Sequence, residues 1–187
     1  MGFRYNKFMT IKQLVIGPLQ TNCYILKSDK QGIVIDPAAE PKKIIAAIAG
    51  LEVSLILITH RHFDHVEALK AVKQHTRAKA AIHPLDWIDG CDIKLEDGQK
   101  IEFDREQITV LHTPGHTPGG CCFLVGNDLF SGDTLFSNGR GNTLFPGGDE
   151  QAILKSIREK LLVLPDETRV YPGHGPSTTI GQERGLY

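Results

Sequence analysis

Short apolar runs alternate with amphipathic stretches along the whole chain, and this pattern predicts strands and helices in turn. Residues 11–16, 23–27 and 33–35 are rich in apolar, often β-branched residues, and Gly, Asn, Asp or Pro punctuate the stretches between them, as expected between strands. Pro41 then opens a helix of about ten residues, with Ile44, Ile45 and Ile48 on one face and Gly50 as its stop. The run Leu55-Ile56-Leu57-Ile58 marks residues 53–58 as a buried strand. Val66, Leu69, Ala71 and Val72 follow at helical spacing, with Asp64 as the expected N-cap. A short strand at 80–82 is closed by His83-Pro84. The second half continues with strands near 101–103, 108–111, 121–124 and 128–130 and a helix at about 149–161 carrying Ile153, Ile157 and Leu161. A last strand leads into Tyr171.

Both halves are β-rich segments closed by helices, which predicts two sheets packed face to face with helices outside, since each apolar face must be covered. No repeat, low-complexity stretch or linker interrupts the pattern, and 187 residues suit one domain spanning 1–187. Residues 1–8 read as an N-terminal extension, because Met9 offers a second start.

A net charge of -1 gives no electrostatic case for nucleic acid or anionic lipid. No apolar run approaches the roughly 20 residues of a membrane span. Cys23, Cys91, Cys121 and Cys122 show no C-x-x-C spacing, and reduced thiols in a cytoplasmic setting fit them best. Cys121 and Cys122 read as small buried strand residues rather than ligands.

What composition leaves open, histidine placement narrows. Thr59-His60-Arg61-His62-Phe63-Asp64-His65 crowds three imidazoles and a carboxylate together at the end of a strand. Packing gains nothing from such a cluster, whereas imidazole nitrogen and carboxylate oxygen are ready ligands for zinc or iron. Three further turns have the same flavour: Thr113-Pro-Gly-His116-Thr-Pro-Gly-Gly, Ser131-Gly-Asp133-Thr, and Tyr171-Pro-Gly-His174-Gly. Each follows a predicted strand and flanks its polar residue with glycine, which lets backbone approach closely. Five histidines and two aspartates are too many for one tetrahedral ion and suit two ions sharing a bridge. His75, His83 and His112 stand alone and read as surface or satisfied core residues.

The order T-H-x-H-x-D-H, G-H-T-P-G, S-G-D and G-H-G resembles the metallo-β-lactamase-fold hydrolase superfamily, close to its glyoxalase II-like branch of hydroxyacylglutathione hydrolases. The resemblance runs from Gly17-Pro-Leu-Gln-Thr-Asn-Cys-Tyr24 through Gly173-His-Gly-Pro176. It implies an α/β fold, the four-layer αββα sandwich, and two divalent metal ions, zinc foremost with iron or manganese as alternatives. It further implies that His60, His62 and His116 hold one metal, that Asp64, His65 and His174 hold the other, and that Asp133 bridges both. Asp64 would also orient the attacking water as a catalytic residue, Asp36 would support the histidine loop from behind, and Arg140 would meet a substrate carboxylate.

The implied activity is hydrolysis of small thioesters such as S-lactoylglutathione. Its rivals are a persulfide dioxygenase with one iron on His60, His116 and Asp133, and a non-catalytic domain that kept its metals. Two departures from the family pattern bear on substrate. Glu67 stands where Gly is usual, and the chain lacks the helical extension that larger glyoxalase II enzymes use to contact glutathione. Trp87, Phe136 and Phe145 are candidates for walls of the substrate groove.

Overall fold

In the computed structural model, which describes residues 9–187, the first half folds into one six-stranded sheet in sequential order. Its strands are β1 (Thr10–Ile16), β2 (Thr21–Lys27), β3 (Gln31–Ile35), β4 (Glu52–Leu57), β5 (Lys79–Ile82) and β6 (Ile93–Lys94). β1, β2 and β3 pair antiparallel, and β3 to β6 pair parallel. Parallel neighbours need crossover connections. α1 (Pro41–Ala47) carries the chain from β3 to β4, and α2 (Phe63–Val66) with α3 (Leu69–Thr76) carries it from β4 to β5.

The second half forms the other six-stranded sheet from β7 (Lys100–Phe103), β8 (Glu106–His112), β9 (Cys121–Val125), β10 (Asp128–Gly132), β11 (Arg169–Pro172) and β12 (Thr178–Thr179). Only β10 and β11 are parallel there, and α4 (Glu150–Ser156) lies between them in the chain.

Side chains alternate across a strand, and here the alternation sorts residues into three apolar layers. Leu55 and Leu57 of β4 face the second sheet, meeting Phe103, Ile108, Val110, Phe123 and Phe130. Ile56 and Ile58 face the other way, toward Ile44 of α1, Ile48 just after it, and Leu69 and Val72 of α3. On the far side, Cys122, Leu129 and Val170 pack under Ile153, Ile157 and Leu161. Helices, sheet, sheet and helix thus stack in four layers, and the expected αββα sandwich holds. Each such fully buried aliphatic or aromatic side chain is worth about 1.5–3 kcal/mol of transfer free energy.

Adjacent cysteines fall on opposite faces, Cys121 between the sheets and Cys122 under α4. All four thiols are free, and burial pushes that of Cys122 up to about 11.

Helix boundaries depart from expectation at three places. Asp64 does not cap a helix: His62, extended at φ -62 and ψ 142, is the N-cap of α2, and Asp64 lies in its first turn. The helix expected to run on from there is broken, because Ala68 N donates to Pro37 O and Ala38 O, both at 3.0 Å. Those carbonyls of the β3–α1 loop take the amide that a continuous helix would have bonded internally. α1 is seven residues long, and Ile48 ends it by bonding back to Ile44 O. The helix at 149–161 is present, with Asp149 capping Ala152 N and the last turn, Ile157–Leu161, widened to π geometry.

Candidate metal centre

Every candidate ligand leaves the carboxyl end of a strand or the turn after it, where open sheets expose loops to one common crevice. His60 and His62 follow β4, and Asp64 and His65 ride on α2. His116 follows β8, Asp133 follows β10, and His174 follows β11. These seven side chains, expected together from spacing and resemblance, converge. Three overlapping groups, His60/His62/His116, His60/His65/Asp133 and Asp64/His65/His174, each bring their donor atoms within 4.8 Å of one another.

Distances within the cluster suit metal coordination. Donors held at about 2.0–2.1 Å around one tetrahedral zinc are about 3.4 Å apart. Here His116 Nε2 is 2.9 Å from His62 Nδ1 and 3.5 Å from Asp133 Oδ2. His65 Nε2 is 3.5 Å from Asp64 Oδ2 and 3.3 Å from Asp133 Oδ1. His174 Nε2 is 3.2 Å from Asp64 Oδ2 and 3.6 Å from Asp133 Oδ2. Asp133 therefore lies between the two outer groups and faces histidines of both.

Backbone and neighbouring side chains fix the direction of four of the five rings. His65 Nδ1 donates to Asp36 Oδ2 at 2.9 Å, His116 Nδ1 to Asn142 O at 2.7 Å, and His174 Nδ1 to Leu19 O at 3.1 Å. His60 Nδ1 meets Thr59 Oγ1 at 3.0 Å, and that hydroxyl donates in turn to Asp36 Oδ2. Tying one ring nitrogen leaves the other bare and pointed inward, which is how ligating imidazoles are held. Asp36 thus supports the histidine loop through Thr59 and His65.

The chemistry of the donors supplies the test of fit. His60 Nε2, His65 Nε2 and Asp133 Oδ1 are buried without a hydrogen-bond partner. Leaving such atoms unpaired in a folded core costs about 1–3 kcal/mol each, more when charged, and a cation among them would remove that cost. Burial and the neighbouring histidines hold His60 well below the usual imidazole range, favouring the neutral form that a metal needs. For His65, burial opposes the charge but Asp133 and Asp36 outweigh it and raise the ring's pKa. Asp64 is drawn downward despite its burial, because His174, His65 and Thr21 stabilise its anion. The residues present fit divalent metal.

Sequence reasoning missed the device that brings the last loop home. Thr21 Oγ1 donates to Asp64 Oδ2 at 2.8 Å. Next to it, Asn22 N donates to Gly173 O at 2.7 Å, and Asn22 Nδ2 donates to Pro172 O at 2.9 Å and Gly175 O at 3.0 Å. Tyr24 adds a bond to Pro172 O at 2.7 Å. The start of β2 thereby clamps the His174 loop of the opposite sheet. Gly173 permits the fit, since a Cβ there would lie 2.2 Å from Asp133 Oδ1 and 2.7 Å from His65 Cε1.

Around the cluster, Phe145 sits edge-on to His62 with ring centroids 5.7 Å apart, and Phe136 edge-on to His174 at 6.2 Å. Trp87 instead carries Lys94 over its ring. Arg140 is ion-paired with Glu150, which also accepts from Thr143 Oγ1 at 2.9 Å. Glu67 is exposed on the wall of a cavity of about 180 Å³ beside Asp64, with Ile16, Leu19 and Phe63. His83 and His112 do not stand alone: their rings stack at 3.9 Å and 8°, while His75 is exposed. Among the described residues no helix is long and apolar enough to cross a membrane.

Comparison with known proteins agrees with this geometry. Residues 16–174 match the metallo-beta-lactamase superfamily. The chain is 35% identical to the hydroxyacylglutathione hydrolase GloC of Haemophilus influenzae, over 94% of this chain and 95% of that one. Among solved structures it is similar to BLEG-1 B3 metallo-beta-lactamase, with a TM-score of 0.88 and 34% identity over 94% of this chain and 97% of that one. It is likewise similar to TTHA1623 in a di-iron-bound form, with a TM-score of 0.83 and 37% identity over 92% and 96% of the two chains. The chain belongs to the metallo-beta-lactamase superfamily, on its glyoxalase II-like branch.

Proposed function

We propose that this protein is a dinuclear metal-dependent hydrolase of small thioesters, with acyl-glutathione-like compounds as the first class to test. The observation that carries the reading is the set of buried, unpaired donors, His60 Nε2, His65 Nε2 and Asp133 Oδ1, inside a seven-residue cluster. His60, His62 and His116 would hold one ion, Asp64, His65 and His174 the other, and Asp133 would bridge them. Zinc suits this nitrogen-rich donor set, and similarity to a di-iron protein makes iron its main competitor. Bound there, two divalent ions supply Lewis acidity at the substrate carbonyl and a water acidic enough to attack near neutral pH.

The chain's own residues do the positioning. Thr21 holds Asp64 Oδ2, so that carboxylate keeps one orientation toward the crevice and can take a hydrogen bond from the attacking water. Phe145 and Phe136 edge the cluster, and the Leu19 and Phe63 side of the groove offers apolar cover for an acyl or thiol arm. Each Asp and His of the cluster is itself a candidate ligand, so none is left over as a general acid. A thiol has a pKa near about 8.5 and departs unprotonated, whereas a lactam nitrogen needs a proton as it leaves. That difference favours thioester over the lactam cleavage suggested by similarity to BLEG-1. Similarity to GloC points the same way.

Purified protein loaded with zinc or iron should hydrolyse S-lactoylglutathione, and His60→Ala should lose metal and turnover together. Full turnover in that variant would refute the metal assignment. One iron per chain, with oxygen consumed on glutathione persulfide and no thioester turnover, would replace hydrolysis by the dioxygenase reading. A cytoplasmic site of action accompanies the proposal, since reduced thiols and a glutathione-type substrate belong together.

A further inference from the structure

Asp86 ends a short 3₁₀ turn, Pro84–Asp86, after β5, and its side chain is completely buried. No candidate ligand lies on that turn. Its carboxylate nevertheless spends every hydrogen bond it makes on the loops that carry three of them. Oδ2 accepts from Arg61 N at 3.2 Å and from Thr117 Oγ1 at 2.6 Å. Oδ1 accepts from Gly119 N at 2.9 Å, with Arg61 Nε 3.9 Å away. Arg61 stands between His60 and His62, and Thr117 and Gly119 follow directly on His116.

We propose that Asp86 is a positioning residue that locks the His60–His62 loop to the His116 loop and so sets the affinity of that three-histidine group for its ion. The inference rests on the dinuclear reading above and deepens it. A buried carboxylate is tolerated only where donors surround it, and here the donors come from two separate strands' loops. Removing the carboxylate would strip support from both loops at once. Gly119 gains a reason as well: a Cβ there would lie 2.6 Å from both Asp86 Cβ and Asp86 N, so only glycine lets the loop close on the carboxylate. The turn is braced in its own right. His83 Nδ1 accepts from Leu85 N, and the ring stacked on it, His112, lies 2.9 Å through Nε2 from Pro118 O in the same His116 loop. Asp36 serves Thr59 and His65 in the other direction, so the cluster is held from two sides by two buried aspartates.

The experiment is a zinc titration of metal-free protein, read by competition with a chromophoric chelator, and repeated with cobalt for its absorption bands. Asp86→Asn replaces an acceptor that faces only donors with an amide that must present N–H to one of them. It should weaken one of the two equivalents by about 10- to 100-fold, the range for supports of ligating histidines, and spare the other. Thr117→Val keeps the buried charge and removes one bond. It should weaken the same equivalent less, while the metal-free protein, short of one bond to a charged group, melts several degrees lower but stays folded, so the test survives if Asp86 variants fold poorly. In a His174→Ala background, where the three-histidine group should be the tighter site, Thr117→Val must weaken the equivalent that remains. Unchanged affinities and cobalt bands would overturn the proposal. So would equal weakening of both equivalents in step with lost stability of the metal-free fold, the mark of a merely structural aspartate. A wild type that binds two ions but turns over no thioester would sink the substrate assignment alone.

Discussion

His65 Nδ1 lies 2.9 Å from Asp36 Oδ2, so a fully buried imidazole of the candidate centre hangs from a carboxylate at the end of a neighbouring strand. The same aspartate accepts from Thr59 N and Thr59 Oγ1, each at 2.7 Å, and Thr59 precedes His60. Three donors converge on one acceptor-only group. Asp36→Asn must turn an N–H toward one of them, releasing His65 or the Thr59 strand end. The expected outcome is a loss of about 10- to 100-fold in metal affinity, measured by equilibrium dialysis against zinc. Wild-type affinity in the variant would show that Asp36 merely satisfies a turn.

Thr21 separates orientation from coordination. Its hydroxyl bonds Asp64 Oδ2 at 2.8 Å yet belongs to none of the metal-competent groups. Hydrogen bonds to charged groups are worth about 1.5–3 kcal/mol, and Thr21→Val removes this one at nearly constant volume. Turnover should fall by about 10- to 100-fold with both ions still bound, and Thr21→Ser should recover most of it. Steady-state kinetics alongside elemental analysis decides the point: a proportional loss of metal would assign Thr21 to the binding of the ion instead.

The candidate cluster was legible because coordination chemistry constrains residue type and because turn glycines mark strand ends. His60 through His65, His116, Asp133 and His174 each stand in such a context, and the structure gathers them. The layered fold was legible for a related reason. A continuous run such as Leu55–Ile58 needs apolar cover on both faces, and it has the second sheet on one and α1 and α3 on the other. What escaped were contacts that depend on three-dimensional neighbours. Asp64 looked like a cap, but Thr21, remote in sequence, claims its carboxylate. The break after Val66 follows from Pro37 and Ala38 carbonyls taking the Ala68 amide, for which local propensity carries no signal. His83 and His112 looked solitary because stacking partners nearly thirty residues apart leave no periodic trace. Asn22 lay inside a recognisable motif, yet its bonds to Pro172 and Gly175 cross from one sheet to the other.

Gly173 tests whether the close approach of the last loop matters to the centre. A methyl group added there would collide with Asp133 Oδ1 and His65 Cε1 at 2.2 Å and 2.7 Å, far inside van der Waals contact. Gly173→Ala should therefore displace the Asp133 and His65 side chains and abolish binding of at least one ion. The loop lies at the edge of the core and is tied by several separate bonds, with Asn22, Tyr24, Gly132 and Leu19, so the fold should survive with a modest loss of stability, about 1–3 kcal/mol. Metal content by elemental analysis, with far-ultraviolet circular dichroism as the control on folding, checks both halves. Two ions retained at full affinity would mean the loop can retreat without disturbing its ligands.

Acid should destabilise the turn that His83 caps. Burial and the neighbouring His112 lower the pKa of His83 from its ordinary 6.5. Its Nδ1 also accepts from Leu85 N, a bond available only to the unprotonated nitrogen. The folded state therefore binds this proton more weakly than the unfolded chain does. Between the folded value and 6.5 the unfolded chain carries more protons, so stability rises with pH in that window. The contribution is fully present above the unfolded value and drains away as pH falls through the folded one. Other histidines of the centre titrate too, His60 in the same sense and His65 in the opposite one, so the measurement must be a difference. Asn at position 83 keeps an acceptor at the N-cap but cannot be protonated. Denaturant unfolding of metal-free wild type and His83→Asn, at about pH 7.5 and about pH 5.5, should show the wild type losing more stability on acidification. Parallel losses in the two proteins would mean that His83 does not bear the acid sensitivity of this turn.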